Sequence, residues 1–165
     1  MISGMKLAEA LALRAETKRR VEQLRSRIVG NARYQEGEEP AEDATALLAD
    51  ADVALGELES WIRRVNRTNA ATVLDGTETL SDAIARRDVL RMRHSLVTAA
   101  ADAAAGRDPH GMAGYGRQLR SELRQLTALP VAELRARADG LAREQRELDV
   151  RIQRANWEVD LLEQG

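Results

Sequence analysis

The chain has 165 residues, a formal net charge of −2 and no cysteine, which excludes disulfide bonds, thiolate metal ligands and a cysteine nucleophile. Aromatic residues are few, with no Phe, two Trp and two Tyr, whereas Ala, Leu, Arg and Glu are abundant. This composition is typical of long, closely packed helices and not of a globular α/β enzyme.

Charge and hydropathy make two classes of partner unfavourable. The net charge offers no basic field to nucleic acid, and the Tyr and Trp residues are too few for base-stacking platforms. The most apolar stretch, Val97 to Ala105, is short and interrupted by Asp102, so we predict no transmembrane helix. The first six residues lack the apolar core of a secretory signal. We therefore expect a cytoplasmic protein that binds neither nucleic acid nor membrane.

The first predicted helix covers residues 6–32 and the second covers residues 41–69, with a Gly- and Pro-containing loop between them. Residues 1–33 carry eight basic and three acidic side chains, whereas residues 34–60 carry nine acidic and no basic ones. If the two helices pair as an antiparallel hairpin, these opposite charges face each other, which we interpret as internal pairing. The predicted seam of the second helix is Leu48, Ala51, Leu55, Leu58, Ile62 and Val65.

The second half of the chain contains two further predicted helices, over residues 80–105 and 131–162. The last of them keeps an apolar or small residue at almost every a/d heptad position, with Gln145 as the interruption. Residues 107–130 are predicted to form a short extended or irregular arm. The spacing of its leucines leaves strand and helix open over residues 117–130.

These patterns predict an all-α fold, with long antiparallel coiled-coil-like helices in a helical bundle, in a single domain of residues 1–165. Helices of about 27 to 32 residues would be roughly 40–48 Å long at 1.5 Å per residue. Apolar seams that remain exposed after such helices pair would favour self-association. We therefore expect a homo-oligomer, in which the partner is another copy of the chain.

Several short motifs together carry a resemblance: Lys6-Leu7-Ala8-Glu9-Ala10-Leu11, Gln35-Glu36-Gly37-Glu38, Asn66-Arg67-Thr68-Asn69, Asp82-Ala83-Ile84-Ala85 and Glu147-Leu148-Asp149. In these motifs the chain resembles the septicolysin-like family of small bacterial proteins, from Lys6 to about Trp157. The resemblance implies a predominantly helical protein without established catalytic residues, and a strand near residues 117–131. The family label also suggests a cytolysin. We favour this function least, because the sequence shows no export signal and no membrane-spanning stretch.

Polar side chains on or beside the predicted packed faces form the candidate ligand-binding site, which comprises Arg14, Asn66, Arg67, Asn69, Arg87, Asp88 and His94. A buried arginine needs a partner because an unpaired buried charge is strongly destabilising. We favour an ion-pair network that fixes helix register, with Arg14 or Arg87 bound to Asp88, Asp149 or a glutamate. The alternative is a polar pocket in which arginine binds a small anionic ligand. His94 is interpreted as a hydrogen-bonded core residue rather than a general base.

Signatures of metal and cofactor chemistry are lacking. The sequence has no Glu-x-x-His or His-Glu-x-x-His pattern, no Gly-rich phosphate loop and no nucleophile elbow, so we predict no metal site and no cofactor. The acidic residues between 36 and 43 are interpreted as a solvated loop facing arginines rather than an oxygen site for Mg²⁺ or Ca²⁺. The residues at Asn66–Asn69 are expected to cap the second helix.

The sequence favours a cytoplasmic, oligomeric helical scaffold or interaction protein that assembles through its long helical seams. The alternative is a protein or enzyme that binds a small anionic molecule in a polar site between helices. Catalytic residues are not identified, and the sequence leaves enzymatic activity open.

Overall fold

The computed structural model describes residues 4–107 and 126–163. It confirms the all-α class, because four long helices account for most of these residues and the sheet found among them is a small two-stranded hairpin. The predicted arm at 107–130, including the choice of strand or helix, falls largely on residues outside the described ranges. The elements in chain order are α1 (Leu7–Asn31), α2 (Ala44–Ala71), β1 (Val73–Asp75), β2 (Glu78–Thr79), α3 (Leu80–Ala104) and α4 (Val131–Glu158).

Helix α2 begins at Ala44, three residues later than predicted, because Asp43 caps it. The Asp43 carboxylate accepts hydrogen bonds from the backbone N–H groups of Thr45 at 2.8 Å and Ala46 at 3.3 Å. These N–H groups have no partner within the helix, and satisfying them fixes where the helix starts. One carboxylate of the acidic loop therefore has a structural role.

The other end of α2 lies further along the chain than predicted. The helix continues through Asn66 and Asn69 to Ala71, so the expected capping role of this motif is wrong. The C-cap is Thr72, whose backbone N–H donates to the carbonyl of Thr68 at 2.9 Å. Asn and Thr are weak helix formers but not helix breakers, which is why the motif is tolerated inside the last turns.

A short β-hairpin that the sequence analysis did not predict joins α2 to α3. Strand β1 pairs antiparallel with β2, with Val73 opposite Thr79 and Asp75 opposite Glu78. Gly76 at the turn has a φ of 52°, in the left-handed region that glycine adopts most readily. The Asp-Gly pair is thus the local signal for this hairpin.

The chain divides into two compact units. The first unit contains the residues up to Ser81 together with those from Gln153 onward. The second unit runs from Asp82 to Ile152. The first unit is therefore discontinuous in sequence, whereas the second is formed by one continuous segment.

In the first unit, α1 and α2 pack as an antiparallel hairpin around a buried cluster of Leu24, Leu47 and Ala54. Oppositely charged side chains meet along this hairpin, as predicted. The Arg27 Nε donates to the two carboxylate oxygens of Glu42 at 3.1 and 3.0 Å.

Main-chain hydrogen bonds also join the start of α1 to the segment that follows α4. The N–H of Leu7 donates to the carbonyl of Val159 at 2.9 Å, and the N–H of Leu161 donates to the carbonyl of Met5 at 2.7 Å. We call this pairing the terminal clasp. It lies wholly within the first unit and connects its two sequence segments.

In the second unit, ion pairs join α3 to α4. The order of these pairs along the two helices shows that the helices run antiparallel. Asp102 near the end of α3 lies 2.6 Å from Arg135 near the start of α4. Arg91 in the middle of α3 lies 3.5 Å from Asp149, which is further along α4. The buried apolar residues of this unit are Ala83, Leu90, Val97, Ala101, Ala138, Leu148 and Ile152.

The contact between Arg27 and Glu42 makes the helical hairpin sensitive to acid. Their hydrogen bond, and to a lesser extent the Arg27 charge, hold the pKa of the Glu42 carboxyl below its ordinary value. Because the pKa is lower in the folded state, the stabilisation is present above the pKa of the unfolded chain and is lost as pH falls through the folded-state pKa. We expect Arg27→Gln to return the Glu42 pKa to its ordinary range, measured by carbon-detected NMR titration.

Arg25→Gln provides the matched control, since Arg25 lies 3.8 Å from Glu22 on its own helix. This variant should leave the Glu42 pKa unchanged. A Glu42 pKa that is the same in Arg27→Gln as in the parent protein would contradict the assignment.

Candidate functional site

Helix α3 has apolar residues on two opposite sides. On one side, which we call the inner face, Ala83, Leu90 and Val97 are buried, with 0, 3 and 6% of their surface exposed. Arg87 and His94 are half-buried on the same side. These residues are spaced at three and four along the helix, so they form one continuous line of side chains on this face.

The opposite side of α3 carries six apolar residues that we call the outer stripe: Ala85, Val89, Met92, Leu96, Ala99 and Ala103. Successive members are separated alternately by four and three residues, which is the a/d spacing of a helix that pairs with another helix. All six are exposed, and Val89, Met92 and Leu96 expose 45, 72 and 71% of their surface. The centre of the outer stripe is open to solvent, whereas Ala103 at its end lines a groove together with the described residues 126–129.

Exposure of such a stripe is unusual because a helix that is apolar on all sides is normally buried on all sides. The stripe spans 18 residue steps, which corresponds to roughly 27 Å at 1.5 Å per residue. Continuous apolar surface of this kind marks an interaction site in most soluble proteins. Sequence analysis missed it because the inner face already supplied a satisfactory seam, although the alternating spacing from Ala85 to Ala103 was present as a signal.

A second exposed row lies on α2, where Leu48, Leu55 and Ile62 are 53, 48 and 39% exposed. These residues were predicted to be core positions, and that assignment is wrong. The packed face of α2 is rotated by about one residue, so that Leu47 and Ala54 are buried instead. The row repeats every seven residues, as one position of a heptad does.

The seven predicted site residues are divided between the two units, with Arg14, Asn66, Arg67 and Asn69 in the first and Arg87, Asp88 and His94 in the second. Asn66 and Arg67 are exposed on α2, and Arg14 and Asn69 are half-buried. Within the second unit the structure brings Arg87 and Asp88 into contact, with 2.9 Å between the Arg87 Nη2 and the Asp88 Oδ1.

Arg87 belongs to an ion-pair network of the kind that the sequence analysis favoured. Its side chain is 21% exposed and lies between Asp88, at 2.9 Å, and Asp149, at 3.9 Å from its Nε. Arg91 lies 3.5 Å from Asp149 and 4.0 Å from Asp88. Two arginines are thus shared by two carboxylates, so the positive charge is balanced locally. The network joins α4 to α3 and leaves little unbalanced charge for an anionic ligand.

Thr68 is the most buried polar residue of the Asn66–Asn69 motif, at 1% exposed. Its hydroxyl donates to the carbonyl of Arg64 at 2.9 Å and accepts the backbone N–H of Leu162 at 3.0 Å. This second hydrogen bond ties α2 to the segment after α4, inside the first unit. The candidate site includes Asn66, Arg67 and Asn69 of this motif, whereas Thr68 is the residue that makes the contact between segments.

A groove of 890 Å³ lies along the hairpin of α1 and α2. Arg20 and Glu57 at its wall are 3.6 Å apart and neutralise each other. The Arg64 guanidinium lies 5.1 Å from the ring centroid of Trp61, which also lines the groove. Because its acidic and basic side chains are balanced, the groove has no charge preference that would select an anion.

These elements define a predominantly all-α protein with an exposed apolar helix face. Residues 14–161 match the family described as "Family of unknown function (DUF6847)", and the chain belongs to this family. It is also similar to a solved structure described as "Crystal structure of a functionally unknown conserved protein from Corynebacterium diphtheriae". The two chains are 36% identical, the match covers 97% of this chain and 100% of the other, and the TM-score is 0.86. No curated protein matches the chain.

The comparisons correct the family assignment made from the sequence. The resemblance to the septicolysin-like family is wrong, because the matching family and the similar solved structure are both of unknown function and neither is septicolysin-like. The motifs that suggested it, such as the Asn66–Asn69 segment, are only three to six residues long, which is too short to identify a family.

Across residues 4–107 and 126–163, none of the helices combines the length and hydropathy needed to cross a bilayer. The same residues contain no group of three or more His, Asp or Glu side chains that could hold a metal ion.

The ion-pair network predicts different effects for its two carboxylates. Asp149→Asn removes the partner that α4 contributes and should lower the free energy of unfolding by about 1 kcal/mol. Asp88 lies on the same helix as Arg87, so Asp88→Asn should lower the free energy of unfolding by less than about 0.5 kcal/mol. Urea denaturation at low and at high salt measures both changes, and salt should reduce the difference. Equal losses for the two variants would contradict a network that couples the helices.

The Thr68 hydroxyl predicts a local change in hydrogen exchange. Thr68→Val keeps the shape of the side chain but removes the acceptor for the Leu162 N–H, so exchange of that amide should accelerate about tenfold, equivalent to roughly 1.4 kcal/mol. Thr68→Ser retains the hydroxyl and should preserve protection of Leu162, measured by NMR. If both variants leave the Leu162 amide as protected as in the parent protein, the hydrogen bond is unimportant.

Proposed function

We propose that the protein is a cytoplasmic, non-enzymatic helical scaffold that associates with copies of itself. The observation that supports this proposal is the outer stripe, whose a/d spacing suits pairing with another helix. The exposed fractions of Met92 and Leu96, 72 and 71%, are far larger than those of residues on a packed seam. Burying such side chains contributes about 1.5–3 kcal/mol each, which is the driving force for association.

The alternative function, binding of a small anionic molecule, has weaker support. Arg87 and Arg91 are already balanced by Asp88 and Asp149. The groove along α1 and α2 has a neutral arrangement at its wall, where Arg20 faces Glu57. Self-association needs no ligand and uses surface that the fold leaves exposed.

Self-association predicts that the parent protein has a mass that is a multiple of 18.2 kDa. Leu96→Glu places a charge in the middle of the outer stripe and should weaken association about 100-fold or more, since two copies of the leucine are lost in a symmetric pair. Light scattering coupled to size-exclusion chromatography measures the mass, and circular dichroism verifies that the helices are retained.

Val53→Glu is the matched control, because Val53 is 60% exposed on α2 and lies outside both apolar rows. This variant should keep the mass of the parent protein. A parent protein that remains monomeric at every concentration measured would overturn the proposed function, as would a Leu96→Glu variant that associates like the parent.

A further inference from the structure

We infer that two copies pair through α3 in a parallel, in-register arrangement, with Asp88 of each copy facing Arg93 of the other. This inference rests on the proposed self-association and adds the surface and the orientation. It follows from the outer stripe and from the charges on either side of it.

The outer stripe sets the heptad register of α3. A step of four leads from a d position to the next a position, and a step of three leads from a to d. Val89, Leu96 and Ala103 therefore occupy a positions. The d positions are Ala85, Met92 and Ala99. Val89 is a β-branched residue at an a position, which is a feature of two-stranded parallel pairing, whereas Leu96 and Ala103 at the other a positions are not β-branched.

Charged residues flank the stripe at the e and g positions, which set orientation in paired helices. The g positions before each a residue are Asp88, Ser95 and Asp102. The e positions after each d residue are Arg86, Arg93 and Ala100. The g side is thus acidic or neutral, whereas the e side is basic or neutral.

In a parallel pair, each g residue faces the e residue five positions later on the other helix. Asp88 then faces Arg93 of the second copy, and symmetry produces this contact twice. Arg93 is exposed and makes no ion pair with any residue in the described part of its own chain. Asp88 is 57% exposed, and its contacts to Arg87 and Arg91 both use Oδ1, which leaves Oδ2 to accept a further hydrogen bond.

An antiparallel pair would bring like charges together. In the antiparallel register that overlaps the whole stripe, Ala85 lies opposite Ala103, g residues face g residues and e residues face e residues. Asp88 would then lie beside Asp102 of the second copy, and Arg93 beside its own counterpart. Like charges across a helix pair are destabilising, so the charge pattern favours the parallel arrangement.

Cysteine crosslinking tests the orientation, because the chain contains no cysteine of its own. In a parallel in-register pair, identical core positions meet at the symmetry axis, within the Cα separation of about 4.4–6.8 Å that a disulfide requires. We expect full-length Ala85→Cys to form a disulfide-linked dimer under mild oxidation. Val53→Cys, on the exposed surface of α2, is the control for random collision and should not crosslink.

The same variants distinguish failure of this inference from failure of the proposed function. An equimolar mixture of Ala85→Cys and Ala103→Cys that crosslinks only as the heterodimer would show an antiparallel pair and overturn the inference. If the protein is multimeric but neither variant crosslinks, alone or mixed, the interface lies elsewhere. That result would overturn the inference but not the proposed self-association. Monomeric protein would overturn both.

A charge exchange tests the contact between Asp88 and Arg93 directly. Arg93→Glu places like charges opposite each other twice and should raise the dissociation constant about tenfold at low salt. Asp88→Arg combined with Arg93→Glu restores opposite charges and should return the dissociation constant to within about threefold of the parent. Arg87 lies 3.9 Å from Asp149 in the parent structure, and that partner is not changed in the double variant. A double variant that dissociates as readily as Arg93→Glu alone would overturn the contact.

Discussion

The constraint on which the arrangement of this protein depends is that α3 is apolar on two opposite sides, and a single partner can cover only one of them. The inner face is buried at residues such as Leu90 and Val97. Met92 and Leu96, at the centre of the outer stripe, are instead mostly exposed. Removing apolar surface from water is favourable whichever element provides the cover, so the same force that folds the second unit also favours association.

Charge fixes how helices of similar composition pair. Along the hairpin of α1 and α2, Arg27 contacts Glu42 and Arg20 faces Glu57, so that a shifted register would separate partners. Exposed pairs of this kind contribute little to stability individually, and their effect is to disfavour wrong registers. In the second unit, Asp149 has the corresponding role between α4 and α3. Cores built from small aliphatic side chains do little to specify one register. Here specific polar contacts add that specificity.

Sequence patterns were sufficient to predict four helices, because each has a long periodic line of apolar residues and clear breaks between them. They were insufficient for α2, since Leu47 and Leu48 begin two equally periodic rows and only the packing against α1 decides which is buried. The ion-pair partners of Arg87 were predicted because one partner, Asp88, is adjacent in sequence. The outer stripe was not found, because periodicity identifies apolar lines but cannot tell how many of them a fold will cover.

The terminal clasp has a consequence for the order in which the chain can fold during synthesis. Its hydrogen bonds link Leu7 to Val159 and Met5 to Leu161, so these contacts have very high sequence separation. The second unit is continuous and can form while the ribosome is still adding the residues beyond Ile152. The first unit contains α1 and α2 but cannot be completed until the residues from Gln153 onward emerge, because loop closure over the intervening chain must come first. Helices α1 and α2 are therefore synthesised before the second unit, but the unit to which they belong is completed after it.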